Sequence, residues 1–168
     1  MDMRFLFTVA LILTGQLAWA DGFAITNLNN VKLDTSQFEG GTYESLVEKD
    51  QIIVACETCD DLSSVHLEMG RSTDGTEGRF RSGETTIEKM RGICQERDPK
   101  CKLTRLDVGN AVGWITEYTL GATRGSTAVL FQDGDLLTIR VLSDSRQRVE
   151  RNMSVTLRYL APQIVEGK

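Results

Sequence analysis

The chain has a single histidine, His66, and two prolines. One imidazole excludes any site that needs two of them. Basic residues number 19 against 24 acidic ones, for a net charge of −5. Such a surface is not built to hold nucleic acid, whose phosphates demand clustered Lys and Arg. A membrane-spanning helix needs about 20 apolar residues, and the one long apolar run, residues 5–14, stops well short of that at Gly15-Gln16. There is no G-x-S-x-G elbow and no phosphate-cradling glycine motif. Asp74, Thr76 and Glu77 lack the spacing of a calcium loop. Hydrolase and nucleotide chemistry therefore have no residues to name. The composition, 40% hydrophobic and 26% charged, is that of a globular protein and excludes a disordered or collagen-like chain.

What is present begins with an address. Arg4 precedes the apolar run FLFTVALILT, and Ala18-Trp19-Ala20 forms a small-x-small site. This is the pattern of a secretory signal peptide over residues 1–20, with cleavage after Ala20. The expectation is one domain over residues 21–168, periplasmic or secreted, with no membrane span once the signal is removed.

Periodicity then divides the chain. Residues 23–33 read as a strand or extended arm and 34–42 as loop. QIIVA at 51–55 reads as a buried strand, and CETCDD at 56–61 as a turn. Val65, Leu67 and Met69 alternate with His66 and Glu68, which argues strand, while Leu62, Val65 and Met69 fit helical spacing; the short run and Gly70 after it favour a strand with His66 half exposed. The glycine-rich residues 70–83 read as exposed loop. Residues 85–97 read as a helix, opened by Thr85 with Glu88 as a capping box and closed by Asp98-Pro99. Residues 102–108 and 113–120 read as strands around Gly109-Asn110. Asp133-Gly134 between two apolar runs predicts a type I′ hairpin that pairs Leu130 with Leu137 and Phe131 with Leu136. Both faces of that hairpin are apolar near its turn, so each needs a cover. Val149, Met153, Leu157, Leu160 and Ile164 form the apolar stripe of a last helix over residues 144–165, capped by Asp144 and kinked or ended by Pro162 near Ala161. The expected fold class is α+β: a mostly antiparallel sheet of about five to seven strands packed against the two helices 85–97 and 144–165.

Four cysteines remain. An exported chain meets an oxidising compartment, so bridges are expected of Cys56, Cys59, Cys94 and Cys101. Three pairings are open. The local one is favoured, because a turn brings residues i and i+3 within bridging range and Cys94 and Cys101 flank a helix end. Zinc held by the four cysteines, or by three with His66, would need a second short knuckle where the chain has C-x6-C. Neither a metal nor a cofactor is expected. The C-x2-C at the end of a strand, with residues 102–131, the hairpin and a final helix, resembles the second half of thioredoxin-like proteins. That resemblance implies a thiol–disulfide oxidoreductase using Cys56 and Cys59. The family's proline before the penultimate strand is missing near Ser126, and Glu57, Asp60 and Asp61 disfavour a thiolate. Other candidates for a ligand site are Arg71, Arg79 and Arg81 in the glycine-rich stretch, Trp114 and Tyr118 on one strand face, and Arg148, Arg151 and Arg158 on a flank of the last helix. The favoured reading is a non-catalytic accessory or binding protein whose partner is a protein or small ligand of the cell envelope.

Overall fold

The computed structural model describes residues 22–168; the signal-peptide reading lies outside the described residues. Seven strands form one sheet in the order β1-β2-β3-β7-β6-β5-β4, and every neighbouring pair is antiparallel. They are β1 (Tyr43–Val47), β2 (Gln51–Cys56), β3 (Ser63–Arg71), β4 (Lys102–Val108), β5 (Ala111–Leu120), β6 (Thr123–Gln132) and β7 (Asp135–Ser143). The helices are α1 (Thr76–Arg81), α2 (Ile87–Arg97), α3 (Arg146–Val155) and α4 (Ala161–Glu166), with a π-helical turn, Thr156–Leu160, joining the last two. The α+β class and the mostly antiparallel sheet are as expected.

The alternation of side chains in strands explains the layers. Ile52, Val54, Val65, Leu67, Leu130, Leu137 and Ile139 point to one face and are fully buried. Val149, Met153, Leu160 and Ile164 of the last helical segment cover that face, together with Phe23 and Leu28 of the N-terminal arm. The arm is tied down by the Phe23 amide, which donates to Asp135 Oδ2 at 2.8 Å, and it winds into a short 3-10 helix at Leu28–Asn30 rather than a strand. The hairpin has the expected register, Leu130 opposite Leu137 and Phe131 opposite Leu136. Its turn has φ of 52° at Asp133 and 84° at Gly134, as a type I′ turn demands.

The second cover of the hairpin is α1, inside the stretch read as loop. Asp74 accepts from the Thr76 amide at 3.0 Å and opens the helix, and Phe80 is buried beside Trp114 and Phe131. Six residues with glycines on either side carry no period, so only the aromatic pocket makes this helix worthwhile. Glu77 on α1 caps the hairpin turn by accepting from the Asp133 and Gly134 amides at 3.0 and 2.8 Å, and it pairs with Arg81 at 2.8 Å. Burial raises its pKa, but the Gly134 amide, Arg81 and the Asp133 amide outweigh burial and hold the carboxyl below its ordinary value. A depressed folded-state pKa stabilises above the unfolded value and is lost as pH falls through the folded one. Glu77→Gln should therefore cost about 1 kcal/mol at pH 7. Urea titrations repeated toward acid should show that gap closing below the unfolded Glu value of roughly 4.3.

Several boundaries shift for local reasons. Thr86 rather than Thr85 caps α2, accepting from the Lys89 amide at 3.3 Å. Ser145 rather than Asp144 caps α3, while Asp144 accepts from the Thr123 hydroxyl at 3.0 Å. Strand β1, to which the sequence pattern assigns no element, pairs along the edge of β2. Pro162 does not end the last helix. The chain passes through the π turn and continues to Glu166. That wider turn closes i→i+5 bonds and holds an extra residue. It rotates Leu157 off the buried stripe, so Leu157 is half buried while Thr156 and Leu160 face the core.

Candidate functional site

Cys56 and Cys59 are bridged, with Cα atoms 5.7 Å apart, in the turn between β2 and β3. Cys94 and Cys101 are bridged at 5.8 Å and join the end of α2 to the start of β4. The local pairing is the one formed. All neighbouring strands of the sheet that carries this C-x2-C run antiparallel. One carboxylate beside the C-x2-C, Asp61, is paired with Arg148. Among the described residues, no group of three or more His, Cys, Asp and Glu is placed to hold a metal ion.

The three arginines of the glycine-rich stretch do not converge. Arg71 pairs with Asp135 at the hairpin. Arg79 donates to the Asp74 carbonyl at 2.8 Å, and Arg81 donates to the Asn110 carbonyl at 3.0 Å besides pairing with Glu77. Each holds a loop in place. Trp114 is wedged between Phe80 and Phe131, with ring centroids 5.5 and 5.4 Å away. Tyr118 shares that face and lies across Gly125, whose missing side chain makes room for the ring, and its hydroxyl meets Thr127 Oγ1 at 3.1 Å. Trp114 is thus packed into the second face rather than flooring an open pocket. His66 sits on that face between Ile53 and Arg140, half exposed as expected.

A cavity lies on the other face, at its β4–β6 end. Helix α3 crosses β3, β7 and β6 while α4 reaches β4, and a gap is left between α3 and the place where β4 begins and β5 ends. The result is an open groove of about 970 Å³, within the usual range of roughly 300–1,000 Å³ for small-molecule sites. Ile115 of β5 and Val149, Met153 and Leu157 supply its apolar surface. Lys100, Lys102, Arg124, Arg146 and Arg158 line it against two carboxylates, Glu117 and Glu150. That is a surplus of three positive charges in the groove of a chain whose net charge is −5.

Register explains how these residues meet. Lys102 lies opposite Glu117 on β4 and β5, and Glu117 opposite Ser126 on β6. Glu117 then bridges Lys102 and Arg146, each at 3.6 Å, and Arg146 also pairs with Glu150 at 2.7 Å. The hydrogen bond from Arg146 to Glu150, with the charges of Glu150 and Glu117, pushes the Arg146 pKa above its ordinary value. Ser126 is buried, and its hydroxyl has no hydrogen-bond partner among the described residues. Of the residues singled out by sequence, Arg158, Tyr118 and Cys101 line this groove. Lys100, Lys102, Arg124 and Arg146 carried no signal, because they come from three separate places in the chain. Compared with known proteins, the chain matches no family model, no curated protein and no solved structure.

Proposed function

We propose that this chain is an exported, disulfide-stabilised accessory protein that binds a ligand without transforming it, and that the groove beneath the last helix is its site. The observation that carries this is the surplus of cations in the groove of an acidic chain. Free positive charge collected in a concavity raises the local concentration of anions and steers their approach. The apolar surface beside it supplies the desolvated contact that a bound molecule needs. Two bridges, and the absence of any helix among the described residues long and apolar enough to cross a membrane, fit a protein working outside the cytoplasm, in the periplasm or medium.

A panel of anionic and cationic small molecules screened by thermal shift tests this reading. Anionic compounds should raise Tm and their cationic counterparts should not. The doubly reversed variant Lys100→Glu/Arg124→Glu should lose the response, since both side chains are exposed and their loss should leave the fold intact. Equal shifts in that variant would move the site elsewhere. Thiol–disulfide exchange at Cys56–Cys59 is the second reading, favoured by the half-exposure of both residues and by the pairing of Asp61 with Arg148. Insulin reduction driven by dithiothreitol, present in the native chain and lost in Cys56→Ser, would select it.

A further inference from the structure

We propose that the occupant of the groove is a monomeric anionic amphiphile, one anionic group on a single alkyl chain. This rests on the groove being the binding site and names what it takes. Four of the five lining cations lie toward one end of the groove, and the fifth, Arg158, stands beside Leu157 at the other. Lys102, Arg124 and Arg146 gather where β4 begins, β5 ends and α3 starts, and Lys100 precedes them by a short step of chain. Glu117 and Glu150 occupy part of that charge, through Lys102 and Arg146. Among the described residues, Lys100 has no ion pair and the Arg124 side chain donates only to the Thr119 hydroxyl, at 2.8 Å. These two remain available for an anion at the mouth.

Between the mouth and Arg158 the lining is largely apolar. Ile115 on β5 and Leu157 on the π turn are half buried, each packed against the core with its remaining surface on the groove. A half-buried branched side chain at each wall gains by covering with alkyl surface, not with a second charged group. The twelve helical steps from Arg146 to Arg158 span roughly 18 Å at the helical rise, room for one extended alkyl chain. The mouth is also prearranged. The Cys94–Cys101 bridge ties the segment that carries Lys100 to the end of α2, which lowers the ordering cost of binding there. The unpartnered Ser126 hydroxyl lies in the floor beside Glu117, on the head-group side.

Isothermal titration with laurate and dodecyl sulfate, kept below micelle formation, tests the proposal. The comparison set is dodecyltrimethylammonium, dodecyl maltoside, inorganic sulfate, an oligoglutamate peptide and phosphatidylglycerol vesicles. Laurate and dodecyl sulfate should bind one per chain, at least about tenfold more tightly than the cationic and neutral chains, a gap of about 1.4 kcal/mol. Lys100→Glu/Arg124→Glu should weaken them by about tenfold or more. Leu157→Ser should weaken the alkyl probes and leave inorganic sulfate unaffected, and circular dichroism should show both variants folded. Inorganic sulfate or oligoglutamate binding as tightly as laurate, and lost in the doubly reversed variant, would overturn the amphiphile while leaving the groove as an anion site. Binding to vesicles without binding to monomers would replace it with a membrane surface. No binding by any probe would overturn the groove reading itself.

Discussion

Gly113→Ala should destabilise the protein by about 3–5 kcal/mol, the upper end of what a single added methyl group does. Gly113 lies on β5 opposite Leu130 of β6, where the two backbones approach closely. A Cβ at this position would meet the Val129 carbonyl oxygen at 1.7 Å and the Leu130 Cα at 3.1 Å. Those are backbone atoms in the middle of the most extensively paired strands, so no side chain can swing away to relieve the clash. The sheet must open, and with it the pairing that carries Ile115 and Glu117 into the groove. Gly92→Ala is the matching control. Gly92 lies inside α2 with nothing within 4 Å of its added Cβ. Removing glycine's backbone freedom from a helix interior should stabilise by about 0.5–1 kcal/mol. Urea unfolding of the two variants should therefore move midpoints in opposite directions. A Gly113→Ala midpoint within error of the parent would mean that β5 and β6 are not in this register.

Asn152→Leu should cost about 3 kcal/mol, although leucine has a similar size and the site is buried. Asn152 on α3 is fully buried and works as a four-way tie. Its Oδ1 accepts from the Glu39 amide at 2.9 Å, and its Nδ2 donates to the Tyr43 hydroxyl at 3.0 Å and to Ser63 Oγ at 3.5 Å. Tyr43 in turn donates to the Glu39 carbonyl at 2.7 Å and meets Ser63 Oγ at 2.8 Å. These contacts fasten edge strand β1, the start of β3 and the loop at Glu39 to the last helix. A leucine would strand several polar groups at once, and a buried unsatisfied group costs about 1–3 kcal/mol. A double-mutant cycle with Tyr43→Phe measures the shared part. The two changes should couple by about 1–2 kcal/mol, because removing both partners leaves fewer orphans than removing either alone. Additive losses would show that the tie is not used in solution.

Edge strand β1 shows why part of the fold escapes a reading of the chain. Tyr43, Ser45 and Val47 point to the covered face and Glu44 and Leu46 to the other, so the stretch mixes exposed and buried types with no clean alternation. Its place depends on β2 on one side and on Asn152 above it, more than 100 residues away. Helix α1 is similar. Its only buried residue, Phe80, is meaningful because Trp114 and Phe131 stand ready to receive it.

The hairpin at Asp133-Gly134 was legible to the residue. A two-residue turn with positive φ at both positions fixes the register of everything attached to it. Both disulfides were legible as the favoured pairing, because short separations keep each pair of cysteines close in any compact state. The stripe from Val149 to Ile164 announced a docked helix, and both covers of the hairpin were demanded by its two apolar faces. All these signals are carried by contiguous residues. The groove is not. Its cations come from the segment after α2, from β4, from β6, from the start of α3 and from the π turn. The way the last helical segment lies across the sheet decides that they meet, and the π turn places Leu157 half buried between the core and the groove. Neither the crossing of a helix nor a one-residue slip in its winding is written in local propensity. Both follow from packing the whole sheet, and so tertiary structure alone creates the candidate site.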